Sequence, residues 1–564
     1  MLTPVPDLTD PRVDTPLPPS PVGRSFPPAP ARGLPLRRED TAWVAAELAS
    51  MTDEELVGQM IVSRNHHIGE ELVDKYRVGG FVFLGNGQAA SNIIDSVNRL
   101  QRHTRRPLWF AIDSEAGVGA RVADATVFPM MMAFGAANDP ELMEECGRIT
   151  ARESQALGLQ VAYGPVVDIN TEPRNPIICT RSMSAFPDRV TPLAAAFLSG
   201  ARAEGVLNTL KHYPGQGDAA VDTHAALPSV SLDREELWRT HLAPYRDLVP
   251  TGAVDMMMTA HVAYPKIDTK MPTTPATLSP YFCRQTLRGE LHFDGVLLSD
   301  AYDMGGIGGG HDEQELAVRG VEAGLDIILG PRDEAEAFTG ILKALQSGRI
   351  SRTRLEESVR RILVAKSRAG LPERRFVDTE SWRAVLSHPE HRAVVRRVCE
   401  KAFTELRSTL PSGPAVRRDE RVLVIALAST TRIFYRFPSS LFTDPFQAEV
   451  PAASVVATSV ELPDGERNAI VAEARSAEKI VVLGYDWSRI ASAGQVALIE
   501  ALTGTGRPVI YVSFGAPYHL SQIPNIDAFY CGYSSVMEMQ QVAVEVLLGD
   551  RKAIGSLPVP MPGN

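Results

Sequence analysis

Eight short apolar runs, most of them separated by stretches long enough for a crossover helix, restrict the folds open to this chain more than any other feature. They are Met60-Ile61-Val62, residues 80–84, 108–113, 160–169, 208–211, 254–262 and 295–299, and Asp326-Ile327-Ile328-Leu329. Brief runs without polar alternation suit strands covered on both faces, as in a parallel sheet flanked by helices. The intervening segments include amphipathic stretches at 140–157 and 191–204. Eight strand–helix repeats over about 300 residues predict an α/β fold of the (β/α)8 TIM-barrel type across 40–375. In that fold the reacting groups sit at the carboxyl ends of the strands. Those ends carry Asp113, Asp168, Lys211 with His212, His261 and Asp300.

The pattern changes beyond the barrel. Residues 376–400 fall in a charged, turn-rich region and read as a linker. A second domain follows over 401–564, with apolar runs at 422–427, 480–483, 508–512 and 526–530. Helical segments at 464–476 and 491–502 alternate with them. This predicts an α/β/α sandwich with a mostly parallel sheet. No glycine-rich phosphate loop follows its first strand, so the domain reads as structural or oligomerising. At the other end, 11 of the chain's 42 prolines lie in residues 1–35. Such density forbids regular helix or central strand, so 1–39 is an extended tail or a strap over another subunit of a homo-oligomer.

Composition narrows the function. A net charge of −11 leaves no basic surplus to neutralise phosphates, which argues against nucleic acid as a partner. The five cysteines (Cys146, Cys179, Cys283, Cys399 and Cys531) are widely spaced, as reduced thiols are, and suggest neither a disulfide framework nor a metal site. The first residues have no signal-peptide pattern, and no window approaches the ~18 apolar residues of a membrane span. The expected location is the cytoplasm.

Between Lys211 and His224 the chain places two histidines, two aspartates and a lysine. A strand that breaks at Pro214-Gly215 into a loop of titratable groups suits a catalytic cleft, since loops aim side chains from a rigid scaffold. The plainer reading is a solvated polar loop with His224 merely exposed. Asp300 ends a second apolar run in the same manner, and its plainer reading is a helix N-cap. Two such strand ends point to one cleft. His66, His67, Met256-Met257-Met258, Asp168 and Asp326 read as solvated or structural.

Four motifs carry a family resemblance. Lys211-His212-Tyr213-Pro214-Gly215-Gln216-Gly217-Asp218 with Asp222-Thr223-His224 resembles the signature loop of bacterial glycoside hydrolase family 3 β-N-acetylglucosaminidases. Leu297-Leu298-Ser299-Asp300-Ala301 is similar to that family's nucleophile strand, and Ile112 through Arg121 to its sugar-binding loop. Arg181-Ser182 stands at its Arg-Ser dipeptide, while Gly515-Ala516-Pro517-Tyr518 and Leu557-Pro558-Val559-Pro560 are similar to the second domain of two-domain members. The resemblance implies a retaining β-glycosidase acting on β-N-acetylglucosaminides or related β-glucosides, without metal or organic cofactor. Asp300 is implied as nucleophile and His224, oriented by Asp222, as acid/base. Asp113, Arg121, Arg181, Lys211 and His212 would hold the sugar, with little contribution to folding expected of Arg181 and Lys211. Where the family has Glu-Gly-Gly-Arg, this chain has Glu115-Ala116-Gly117-Val118, losing one arginine. Three alternatives stand beside this reading. Glu115 is a rival proton donor; inorganic phosphate is an acceptor that a histidine, unlike a carboxylate base, would not repel; and an inactive sugar-binding sensor would keep the cleft without turnover.

Overall fold

The computed structural model describes residues 38–307, 312–428, 437–459, 462–486, 492–523 and 525–562, so the proline-rich tail up to residue 37 lies outside the described residues. Each of the eight apolar runs forms a strand: β1 (Ile61–Arg64), β2 (Gly80–Phe83), β3 (Trp109–Ile112), β4 (Val161–Ala162), β5 (Leu207–Tyr213), β6 (Met256–Thr259), β7 (Val296–Leu298) and β8 (Ile328–Leu329). They lie in the order β7-β6-β5-β4-β3-β2-β1-β8, every neighbour parallel. A single bridge, Leu298 to Ile327, joins the two ends. The ring is therefore nearly closed, and side chains reinforce its seam. The buried Asp326 carboxylate accepts from Leu297 N at 2.9 Å, Ser358 Oγ at 2.6 Å and Arg288 at 2.7 Å, tying the β7–β8 junction to the helix Arg352–Arg368. Phe81, Phe110, Leu210, Met256, Met257, Leu297 and Ile328 are all buried in the core.

The helices start where the chain offers side-chain acceptors to free amides. Thr52 and Glu55 form a capping box on Asp53–Gln59, and Asp139 caps Pro140–Ala156 with proline in the first turn. At the amino-terminal end of the barrel, buried Lys366 donates to Gln59 Oε1 at 2.7 Å and to the carbonyls of Gly79 and Pro107, each at 2.9 Å. Three ammonium hydrogens thus meet three acceptors from the segments that enter β1, β2 and β3.

The second domain has a six-stranded sheet: β9 (Thr404–Ser408), β10 (Val422–Ala428), β11 (Ser454–Ser459), β12 (Lys479–Gly484), β13 (Val509–Ser513) and β14 (Ala528–Cys531). The order is β11-β10-β12-β13-β14-β9, parallel except for β9 against β14. The four apolar runs are its four central strands. The two strands without an apolar run, β9 and β11, are its edges, where exposed residues dilute the signal. The stretch 376–400, expected as a linker, contains most of the helix Pro389–Ala402, whose Val394, Val395, Val398 and Cys399 are buried. This helix packs against Met131–Ala137 of the barrel and Met537–Leu547 of the second domain. Beyond Met537–Leu547 the chain returns to the barrel: the carbonyl of Pro558 accepts from Ser184 Oγ at 2.5 Å and Ala185 N at 3.1 Å, and Ser556 N donates to Ala136 O at 3.0 Å.

Replacing Lys366 with Met would leave three buried acceptors without their donor. Lys366→Met is expected to lose about 3 kcal/mol in denaturant unfolding, because stranded acceptors forfeit their solvation. A loss below 1 kcal/mol would mean that water replaces the ammonium there.

Candidate active site

A cleft of about 300 Å³ opens at the carboxyl ends of the barrel strands, lined by Asp113, Arg121, Arg181, Lys211, His212, His224 and Asp300. Seven of the eight residues named from the sequence thus share one cavity, and the eighth, Asp222, stands behind His224. Asp113 follows β3, Lys211 and His212 belong to β5, Asp300 lies just past β7, and Arg181 ends a short 3-10 turn after β4. The peptide bonds Lys211–His212 and Tyr213–Pro214 are cis.

One side of the cleft is a largely buried lattice of charges. Lys211 Nζ lies 2.6 Å from Asp113 Oδ1 and 2.6 Å from Glu115 Oε1. Arg181 grips Glu115 with Nε at 2.8 Å and Nη2 at 2.6 Å, and Arg121 reaches Asp113 Oδ2 at 2.5 Å. Burial alone would raise the Glu115 carboxyl, but Arg181 and Lys211 outweigh it and hold it well below the usual range. Glu115 is accordingly a fixed anion, unsuited to donating a proton. Asp113 is lowered likewise, burial being offset by Lys211 and Arg121. The expectation that Arg181 and Lys211 matter little to folding is therefore corrected: each is almost fully buried, and losing either strands a buried carboxylate.

Asp168, which read as structural, has a defined task. Its Oδ2 accepts from His212 Nδ1 at 2.7 Å and its Oδ1 from Gln216 N at 2.8 Å, so it fixes the ring and the loop beyond it together. With Nδ1 donating, His212 Nε2 is left to accept from Arg181 Nη2 at 3.3 Å.

Asp300 is held as a carboxylate. Burial would raise it, but His212, His261, the Ala301 amide and Lys211 prevail and lower it. Its Oδ1 accepts from Ala301 N at 2.8 Å, and buried His261 backs the turn by bonding Ala301 O at 3.1 Å. His224 differs from all of these, its side chain being 56% exposed. Asp222 Oδ1 accepts from both His224 N at 2.8 Å and His224 Nδ1 at 2.9 Å, and Nε2 has no partner among the described residues. The loop is anchored where Gly305 N donates to His224 O at 3.0 Å and Gly306 N to Thr223 O at 2.9 Å. A Cβ on Gly305 would come within 2.9 Å of His224 O, so this close approach requires glycine.

Sequence reasoning missed Arg64 and Asp303, which pair at the cleft opposite the charged lattice. Taking β1 to stop at Val62 hid Arg64, although it is the last residue of its strand. Among the described residues no cluster of three or more His, Cys, Asp or Glu could hold a metal, and all five cysteines are free and buried. No described helix is long and apolar enough to cross a membrane.

Comparison with known proteins agrees with this geometry. The model of the glycosyl hydrolase family 3 N-terminal domain matches residues 51–365. β-Hexosaminidase A of Pseudoalteromonas piscicida is 30% identical over 546 residues, covering 87% of this chain and 90% of that protein. A β-N-acetylglucosaminidase/β-glucosidase of Cellulomonas fimi is 26% identical, covering 92% and 95%. The solved family 3 β-N-acetylglucosaminidase of a Paenibacillus species superimposes with a TM-score of 0.83 at 30% identity, over 91% of this chain and 99% of that one. A solved β-glucoside phosphorylase has the same TM-score, 0.83, at 24% identity over 93% and 97%, a likeness of fold.

The fixed charge of Glu115 makes two expectations. Glu115→Gln should cost about 3–5 kcal/mol of stability, since Arg181 and Lys211 lose their counter-ion. Its turnover should fall equally for good and poor leaving groups; a fall confined to poor leaving groups would return Glu115 to the role of acid. Because its pKa is lowered on folding, Glu115 adds stability in full above about pH 4.3, lost as pH falls through the lower folded value. Glu115→Gln should accordingly lose less stability than the parent between about pH 5 and 3.

Proposed function

The chain belongs to glycoside hydrolase family 3, and from that membership and the cleft we propose that it removes β-linked N-acetylglucosamine in two steps through a glycosyl-Asp300 ester. The observation that carries the assignment of roles is one cleft lined by both a lowered, partly buried carboxylate and an exposed histidine whose Nδ1 is held by Asp222. In the first step Asp300 attacks the anomeric carbon while His224 Nε2 gives its proton to the departing oxygen. In the second, neutral His224 takes a proton from water as the water oxygen displaces Asp300, restoring the carboxylate. Asp222, bonded to Nδ1, keeps the imidazole in the required tautomer. The lattice of Asp113, Arg121, Arg181, Lys211 and His212 offers donors and acceptors to sugar hydroxyls. Water is the acceptor this reading favours: the relatives at 30% identity are named as a hexosaminidase and an N-acetylglucosaminidase. A reducing compartment such as the cytoplasm fits five free, buried cysteines.

Asp300→Ala is expected to retain less than about 1% of turnover, with its melting temperature close to the parent's. A 2-fluoro sugar should label Asp300 alone. His224→Ala should slow poor leaving groups about 10²–10⁴-fold and spare the first step for an activated aryl group. Azide should then restore the second step and yield a glycosyl azide. Product analysis with phosphate present should give free sugar; a sugar phosphate as the main product would redirect the second step to phosphate.

A further inference from the structure

The side of the cleft facing the charged lattice is built from fewer parts. In a ring of eight strands β1 lies across from β5, so Arg64, which ends β1, stands opposite Lys211 and His212. To reach the cleft the Arg64 side chain passes over Gly330, whose φ is +54° and where a Cβ would lie 3.2 Å from Arg64 Cγ and Cδ. Its guanidinium then pairs through Nη1 with Oδ2 of Asp303, three residues after Asp300. Nε is enclosed without a partner among the described residues, so the η nitrogens are what the group can present to a ligand. Arg64 is 25% exposed and Asp303 33% exposed, each with one polar atom, Nη2 and Oδ1, unclaimed among the described residues. Buried Met304 and Leu329 line the same cleft beside them. The Arg64 guanidinium is lowered by burial and raised by the Asp300 carboxylate, which places the pair within electrostatic reach of the nucleophile.

An acetamido group presents a carbonyl acceptor, an amide donor and a methyl group, and in an N-acetylglucosaminide it sits on the carbon next to the one Asp300 attacks. We propose that Arg64 and Asp303 are the residues that read this group: Arg64 Nη2 donates to its carbonyl, Asp303 Oδ1 accepts from its N–H, and Met304 and Leu329 take its methyl. This rests on the reading that N-acetylglucosaminides are the substrates. A hydroxyl at that carbon has a single oxygen to offer both partners and leaves the apolar contact empty, so the site discriminates between the two sugars.

The test compares p-nitrophenyl β-N-acetylglucosaminide with p-nitrophenyl β-glucoside on the full chain and on Arg64→Met and Asp303→Leu. In both variants the ratio of kcat/KM values, N-acetylglucosaminide over glucoside, should fall about tenfold or more, mainly through KM. Competitive inhibition by free N-acetylglucosamine should weaken by a similar factor relative to inhibition by glucose. Equal losses on both substrates, or an unchanged ratio, would overturn the proposal and leave the N-acetylglucosaminidase reading intact. A parent enzyme that fails to turn over the N-acetylglucosaminide would overturn that reading and the proposal with it. Should Arg64→Met not fold, Asp303→Leu, which keeps the side chain's branching and removes its acceptors, decides alone.

Discussion

Buried charge compensation is what the rest of this molecule depends on. Asp113, Lys211, Glu115 and Arg181 come from the ends of β3 and β5 and from the turn after β4; the last three are nearly removed from water and Asp113 is largely so. None is tolerable alone, because an unpaired charge in such a place costs several kcal/mol. The barrel must therefore bring these strand ends to one register before any of them is satisfied. Folding and the shaping of a sugar-sized pocket are consequently one event. Asp168 extends the arrangement through His212, so the strand, its histidine and the following loop share one anchor.

The half of the cleft that carries the proposed acid/base follows another rule. His224 and Asp222 sit on an exposed loop anchored through backbone contacts at Gly305 and Gly306. In the proposed cycle an imidazole that gains and loses a proton needs access to solvent, while anions that hold a sugar must stay charged throughout. The structure separates the two demands by burial: dry lattice on one side, wet histidine on the other.

Much of this was legible in the sequence because barrel strands buried on both faces announce themselves as apolar runs. Even the two-residue strands β4 and β8 lay inside such runs. What escaped notice was edge and context. The strands β9 and β11 alternate with exposed residues at the sheet's margins, and Arg64 hid because a polar residue ending an apolar run looks like a loop. Site residues carried by motif, such as Lys211, His224 and Asp300, were visible by residue type and spacing. Glu115 was visible only as a carboxylate; that it is a locked counter-ion follows from Arg181, 66 positions away, and no local pattern contains that contact.

The second domain and the returning strap support the turn that carries Arg181. Tyr518 Oη accepts from Asn170 Nδ2 at 2.7 Å, and Pro558 bonds Ser184 and Ala185, so both flanks of that turn lean on residues far along the chain. Ser184 and Pro558 are 374 positions apart, a delay of roughly 20–75 s at ordinary rates of ribosomal elongation. The barrel strands thus leave the ribosome well before the residues that brace the arginine turn. The finished pocket marks a chain that has been translated at least through Pro558.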